Sequence, residues 1–135
     1  MSTQAIPFLI TILPEKQELL ELNFNVCINP DGTALVTDNK NKSTKIEALF
    51  SGSVDRLQIG AILNSLQHIN SSLNDTTRPY AEISVHTSSI YCTNVLNEWI
   101  YKWTPDFSAK PNGDLLDQLY PLLLSLQNLE ILWSL

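Results

Sequence analysis

From Glu21 the chain alternates apolar and polar residues, with Leu22, Phe24, Val26 and Ile28 in one set and Asn23, Asn25, Cys27 and Asn29 in the other. A period of two predicts a strand with one buried face. Asn29-Pro30-Asp31-Gly32 follows. There Pro presets φ, Asp can bond the local backbone and Gly accepts a positive φ, so a hairpin turn is expected. Thr33–Thr37 and Thr44–Phe50 read as the second and third strands, on either side of a polar loop at Asp38–Ser43, and the three together make an antiparallel meander.

After Ser51-Gly52 the period becomes helical. Leu57, Ala61, Ile62, Leu66 and Ile69 share one face behind Ser53 as N-cap, with Asp55 in the first turn where the helix dipole favours an acid. Asn70–Pro79 is a polar surface loop and Tyr80–His86 a fourth strand. Thr87-Ser88-Ser89 caps a second helix whose apolar face carries Val95 or Leu96, then Trp99, Ile100 and Trp103. Thr104–Gly113 is a connection. A third helix over Asp114–Leu126 puts Leu115, Leu119, Leu122, Leu123 and Leu126 at helical spacing, and Pro121 is expected to bend or interrupt it. Leu129–Leu135 closes the chain as an apolar strand.

Upstream, Ile6–Leu13 reads as an edge strand or extended arm and Pro14–Leu20 as a short helical turn. Residues 1–20 are thus an N-terminal arm or extra edge strand, and 21–135 the folded domain. The order predicts an α/β domain with a mixed five-stranded sheet. Three antiparallel strands are followed by two that pair in parallel, because crossover helices precede them.

Composition narrows what this domain does. Hydrophobic residues make up 44% and charged residues 16%, the balance of a folded globule. A chain of this length buries roughly two thirds of its unfolded surface without a disulfide or metal staple. The net charge of −6 has the wrong sign for a protein that grips phosphate backbones by counterion release, although a local basic patch is compatible with it. Cys27 and Cys92 show no C-x-x-C or Cys/His metal spacing and are expected to be buried free thiols. The 4 glycines form no phosphate-cradling loop, so no cofactor is expected.

The apolar stretch Ala5–Leu13 lacks a preceding Lys or Arg, is broken by Pro7 and bounded by Pro14, and is shorter than the roughly 20 residues a membrane-spanning helix needs. It makes a poor signal peptide or anchor. The Asn-x-Ser/Thr triplets at Asn41, Asn70 and Asn74 matter only in a secreted protein. An intracellular, cytoplasmic protein with no membrane contact is the expectation.

Two stretches of residues resemble a known family. Val54-Asp55-Arg56-Leu57-Gln58-Ile59, with Ala61 and Leu63, is similar to the Asn-Arg-Met-Glu-Leu opening of the first helix of ribonuclease H. Ile83-Ser84-Val85-His86-Thr87-Ser88-Ser89, then Val95, Trp99-Ile100-Tyr101-Lys102-Trp103, Lys110-Pro111, Asn112, Asp114-Leu115-Leu116 and Trp133, is similar to a second set of features. These are that family's Thr-Asp-Ser strand end, Trp-Ile-x-x-Trp helix, Lys-Pro…Asn-x-Asp-Leu-Trp segment and closing strand. The likeness spans about Glu21 to Trp133 and implies a ribonuclease H-like α/β fold.

Members of that family cut the RNA strand of an RNA–DNA hybrid with two divalent metals clamped by converging carboxylates. The resemblance puts neutral residues at those positions. The first-strand aspartate falls among Asn25, Cys27 and Asn29, the first-helix glutamate becomes Gln58, and the aspartate ending the fourth strand becomes Ser88. The family's His-bearing loop and last aspartate would lie beyond Leu135. Neutral oxygens hold Mg²⁺ weakly, so no metal site and no catalytic residue are expected. The segment that helps active members hold the hybrid is reduced to Lys102 and Lys110, interrupted by Asp106 and Asp114. Any residual nucleic-acid contact would rest on Ser53, Arg56, Trp99, Lys102, Trp103 and Lys110.

Trp99 and Trp103 suit core or rim packing at their helical spacing better than base stacking. His86 with Ser88 or Ser89 lacks a Gly-x-Ser-x-Gly elbow, and the serines serve as N-caps. The apolar arm and Leu132-Trp133-Ser134-Leu135 suggest contact with another chain. The expectation is a pseudoenzyme acting as a protein-interaction or scaffold module, with a protein partner or homodimer. The rival is a hybrid- or duplex-binding domain that does not cut, and an active nuclease ranks third.

Overall fold

The computed structural model describes residues 22–78, 81–103, 106–126 and 129–133. The expected arm over residues 1–20 and the last residues of the closing strand, Ser134 and Leu135, lie outside them. Three strands come first: β1 (Asn23–Ile28), β2 (Ala34–Asp38) and β3 (Ser43–Ile46). Helix α1 (Val54–Ser71) leads to β4 (Glu82–Thr87). Next, α2 (Ile90–Asn94) runs through a π turn (Val95–Trp99) into α3 (Ile100–Trp103), and α4 (Gly113–Ser125) precedes β5 (Leu129–Trp133). The sheet order is β3-β2-β1-β4-β5. β1 pairs antiparallel with β2 and parallel with β4, β2 pairs antiparallel with β3, and β4 pairs parallel with β5. The mixed five-stranded α/β sheet is as expected.

The β1–β2 turn forms where Asn29-Pro30-Asp31-Gly32 predicts it. Asp31 accepts from the Thr33 amide at 3.0 Å and from its hydroxyl at 2.6 Å, and Gly32 takes φ +93°. Those two hydrogen bonds hold the Asp31 carboxyl below the usual range. Alternation along β1 is also as expected: Val26 and Ile28 are buried, while Asn23, Asn25 and Cys27 are exposed. The buried face meets Ile83 and Val85 of β4 and the α1 core residues Ile59, Ile62, Leu63 and Leu66. Cys27 is therefore an exposed thiol rather than a buried one, because the strand period puts it opposite Val26 and Ile28, whereas Cys92 is buried as expected.

Four other expectations change. The third strand stops at Ile46 instead of Phe50, because Ile46 already pairs with Ala34, the first residue of β2. Beyond it the chain leaves the sheet and Phe50 packs over Gly60 of α1, where an added Cβ would lie 2.3 Å from the ring. Helix α1 is expected to be buried on one face, yet Gln58, Ile59, Gly60, Leu63 and Ser65 are buried with the apolar stripe, because the helix runs between the sheet and α4.

The choice between Val95 and Leu96 dissolves, since both are buried. The π turn adds a residue to one turn and rotates both inward. Finally, Pro121 does not interrupt α4, which runs unbroken to Ser125. Pro121 and Asp117, whose carbonyl loses its intrahelical donor, are both exposed, so water can serve that carbonyl. Trp99 and Trp103 are half-buried against the core rim, their rings 5.7 Å apart.

Candidate functional site

β1, β3, β4 and β5 all run the same way, so their carboxyl ends lie together, and α1, α2 and α4 start there too. Helix N-termini carry partial positive charge and unpaired amides. Each is met locally. Ser53 accepts from the Arg56 amide at 3.2 Å, Ser89 accepts from the Cys92 amide at 3.1 Å, and Asp55 and Asp114 sit in the first turns of α1 and α4. Asp55 also accepts from the Ser89 hydroxyl at 2.7 Å, tying the start of α1 to the start of α2.

Gln58 lies at the centre of this end and is only 1% exposed. Its carbonyl oxygen accepts from the Thr87 hydroxyl, and its amide nitrogen donates to Ser88 Oγ at 3.3 Å. Thr87 Oγ1 in turn accepts from the Ser89 amide at 3.1 Å. The result is a neutral, hydrogen-bonded cluster in which both ends of the Gln58 amide are in use. The acids that come near are committed: Asp55 to Ser89, and Asp114 to Arg56. Arg56 Nη1 and Nη2 reach the two oxygens of Asp114 at 3.0 and 2.8 Å, and this lowers the Asp114 carboxyl below its ordinary value. Arg56 also donates to Asn112 Oδ1 at 3.3 Å and to the Ser51 carbonyl at 3.1 Å.

A pair of divalent cations does not fit this set. It needs several negative oxygens free to converge, and here the oxygens are neutral and engaged, that of Gln58 by the Thr87 hydroxyl and that of Ser88 by the Gln58 amide nitrogen. Among the described residues no group of three or more His, Cys, Asp or Glu side chains is placed to hold a metal. The arrangement can lock helix starts to strand ends, and it presents no free base or nucleophile.

The residues singled out from the sequence separate into several places. Gln58 and Ser88 come together. Asn29 is a turn residue whose amide donates to Thr33 Oγ1 at 2.9 Å. Asn25 and Cys27 project from the opposite, open face of the sheet, so they do not join Gln58. Ser53 and Arg56 lie at the start of α1. Lys102 pairs with Glu98 at 2.7 Å, and the Lys110 ammonium lies 5.0 Å from the Trp103 ring centre. The expected contact residues are linked, Arg56 through Asn112 and Tyr91 to Trp99 and Trp103, but their cations are internally matched by Asp114, Glu98 and the Trp103 ring.

Sequence reasoning missed Thr87, the hub of the cluster. The signal was present: Ile83, Val85 and Thr87 form the inward set of β4, and a hydroxyl at the last inward position needs a buried partner. No helix among the described residues is long and apolar enough to cross a membrane. No protein-family model matches this chain, and no curated protein matches it.

Proposed function

We propose that the chain is a non-catalytic ribonuclease H-like domain that works as a protein-interaction module. The element order, and the parallel pairing of β4 with both β1 and β5, support the fold half of this reading. The functional half rests on Gln58. At the position where the family resemblance calls for a metal-binding glutamate, a buried amide is satisfied by two hydroxyls, so the sheet end is closed by neutral hydrogen bonds.

Around that end, Leu49, Val54 and Ile90 are 70%, 55% and 57% exposed. Val54 and Ile90 each adjoin in sequence one partner of the Asp55–Ser89 hydrogen bond. Large exposed apolar side chains at one end of the sheet suit burial against another protein surface. They do not suit a phosphate backbone, and the basic residues nearby are matched by Asp114, Glu98 and the Trp103 ring.

Purified protein incubated with a labelled RNA–DNA hybrid and Mg²⁺ or Mn²⁺ tests the first half; metal-dependent cleavage that is lost on mutating Asp55 would overturn it. Retention of the hybrid at low salt, weakening steeply as salt rises, would replace the protein-contact reading with the nucleic-acid one. Affinity capture with native protein and with a Val54→Asp/Ile90→Asp variant tests the second half. A partner, or a second copy, held by the first and released by the second is the expected result.

A further inference from the structure

At the end of the sheet remote from Gln58, where β1 and β3 begin and α1 finishes, the inward rows change character. Register sets them: Ile28, Ala34 and Ile46 lie across from one another, then Val26, Val36 and Thr44, then Phe24 and Asp38. The first row is apolar throughout, whereas the second ends in a hydroxyl and the third in a carboxylate. His68 in the last turn of α1 and its C-cap Ser72 meet these positions, and Lys42 borders them from the β2–β3 loop. Together they border a cavity of about 230 Å³ whose apolar lining is Phe24 and the buried Val36.

Around this cavity the acceptors are engaged and the donors are not. Asp38 Oδ1 accepts from the Lys40 and Lys42 amides at 2.9 and 3.0 Å, which meets its charge and fixes the loop that carries Lys42. At the end of α1 the His68 carbonyl accepts from Ser71 Oγ at 2.7 Å, and the Ile69 carbonyl from the Ser72 amide and hydroxyl at 3.0 and 2.7 Å. Among the described residues, by contrast, the Lys42 ammonium, the Thr44 hydroxyl and the His68 ring make no hydrogen bond or ion pair. The other described cations are matched, Arg56 by Asp114, Arg78 by Asp75, Lys102 by Glu98 and Lys110 by the Trp103 ring, while Lys45 helps to lower the Asp31 carboxyl. That leaves Lys40 and Lys42, and of these Lys42 lines the cavity.

We propose that this cavity binds a small carboxylate with an apolar body. The Lys42 ammonium receives the carboxylate with the Thr44 hydroxyl and the His68 ring as further donors, and the body lies against Phe24 and Val36. At roughly 30 Å³ for each water-sized group, the space takes about seven or eight non-hydrogen atoms. That is the size of a branched short-chain or single-ring acid, and it is too small for a nucleotide. A cationic ligand would leave the donors unmatched and meet an ammonium of its own sign, and an anion without a body would leave the apolar lining wet. The cavity lies at the opposite end of the sheet from the Gln58 cluster, so it stands or falls independently of the reading of that cluster.

The test titrates the 135-residue chain with benzoate and with 4-methylpentanoate and follows backbone amide shifts by NMR. Saturable shifts centred on Lys42, Thr44, His68 and Ser72 are expected, with a Kd below about 10 mM, a modest efficiency for ligands of this size. Benzyl alcohol keeps the ring without the charge and acetate keeps the charge without the ring, and each should bind about tenfold more weakly or worse. Lys42→Met should weaken benzoate about tenfold with Tm unchanged, since Lys42 is exposed. Lys40→Met makes the same charge change on the same loop outside the cavity and should bind like native. The proposal is overturned if benzylamine or acetate binds as tightly as benzoate, or if Lys40→Met loses as much affinity as Lys42→Met. It is overturned equally by shifts that gather elsewhere, or by no saturable binding below about 10 mM.

Discussion

Gln58→Glu introduces a carboxyl into the buried cluster at the sheet end, and the structure says what it costs. The side chain is 1% exposed, and its amide nitrogen donates to Ser88 at 3.3 Å. A carboxylate cannot donate there, which removes one neutral hydrogen bond, about 1 kcal/mol. Ionisation is also opposed. Arg56 is held by Asp114, and the nearest committed acid, Asp55, has the same sign. The introduced carboxyl should titrate above its unfolded value of roughly 4.3, and each unit of upward displacement is about 1.4 kcal/mol.

A rise of about two units brings the loss to about 3–4 kcal/mol at pH 7, a large share of the roughly 5–15 kcal/mol of a typical domain. For 135 residues that is a fall in Tm on the order of 10 °C. Because the folded value is the higher one, the charge contribution is absent below the unfolded value and grows as pH rises towards the folded one. The gap between native and variant should widen from pH 4 to pH 7. Thermal unfolding by circular dichroism at both pH values, with and without Mn²⁺, measures it. A variant as stable as native at pH 7, or one that Mn²⁺ stabilises by several degrees, would refute the reasoning, because the sheet end would then hold negative charge willingly.

Thr87→Val should cost about 2–4 kcal/mol in urea unfolding, since it leaves both the Gln58 carbonyl and the Ser89 amide without their buried partner, while Thr87→Ser should cost about 1 kcal/mol. Equal losses would mean that the hydroxyl contributes nothing. At Gly113 an added Cβ falls 2.0 Å from the Phe107 carbonyl oxygen, which is backbone, whereas at Gly60 it meets the Phe50 ring, which can swing. Gly113→Ala should therefore destabilise by about 3 kcal/mol and Gly60→Ala by about 1–3 kcal/mol. Helix propensity alone predicts a gain of about 1 kcal/mol for either, so a stabilised Gly113→Ala would sink the steric account. Arg56 holds the Asp114 carboxyl low, so this pair's contribution is present above the unfolded carboxylate value and lost as pH falls through the folded one. Asp114→Asn should flatten the acid limb of the stability curve, with a small effect at pH 7 because the pair is partly exposed and screened.

The local grammar of the chain was enough for the element order and for which face of β1 is buried. The period-two run at Leu22–Ile28, the Asn29–Gly32 turn and the Ser53 and Ser89 caps are short-range effects, decided by φ preferences and by side chains bonding nearby amides. The parallel pairing of β4 and β5 followed from the crossover helices. The neutral character of Gln58 and Ser88 was legible directly as residue identity.

Only the tertiary structure decided which polar groups meet. Thr87 and Gln58 are 29 residues apart and Arg56 and Asp114 are 58 apart, and no periodicity reports such contacts. The depth of α1 depends on α4 lying across it, and the shared burial of Val95 and Leu96 depends on a π turn that helical spacing does not anticipate. Cys27 carries the same lesson. Strand alternation placed it beside Asn25 on the polar side, but His86 became its neighbour only when β1 took β4 as its parallel partner, because register between strands is set by packing of the whole sheet rather than by either strand alone.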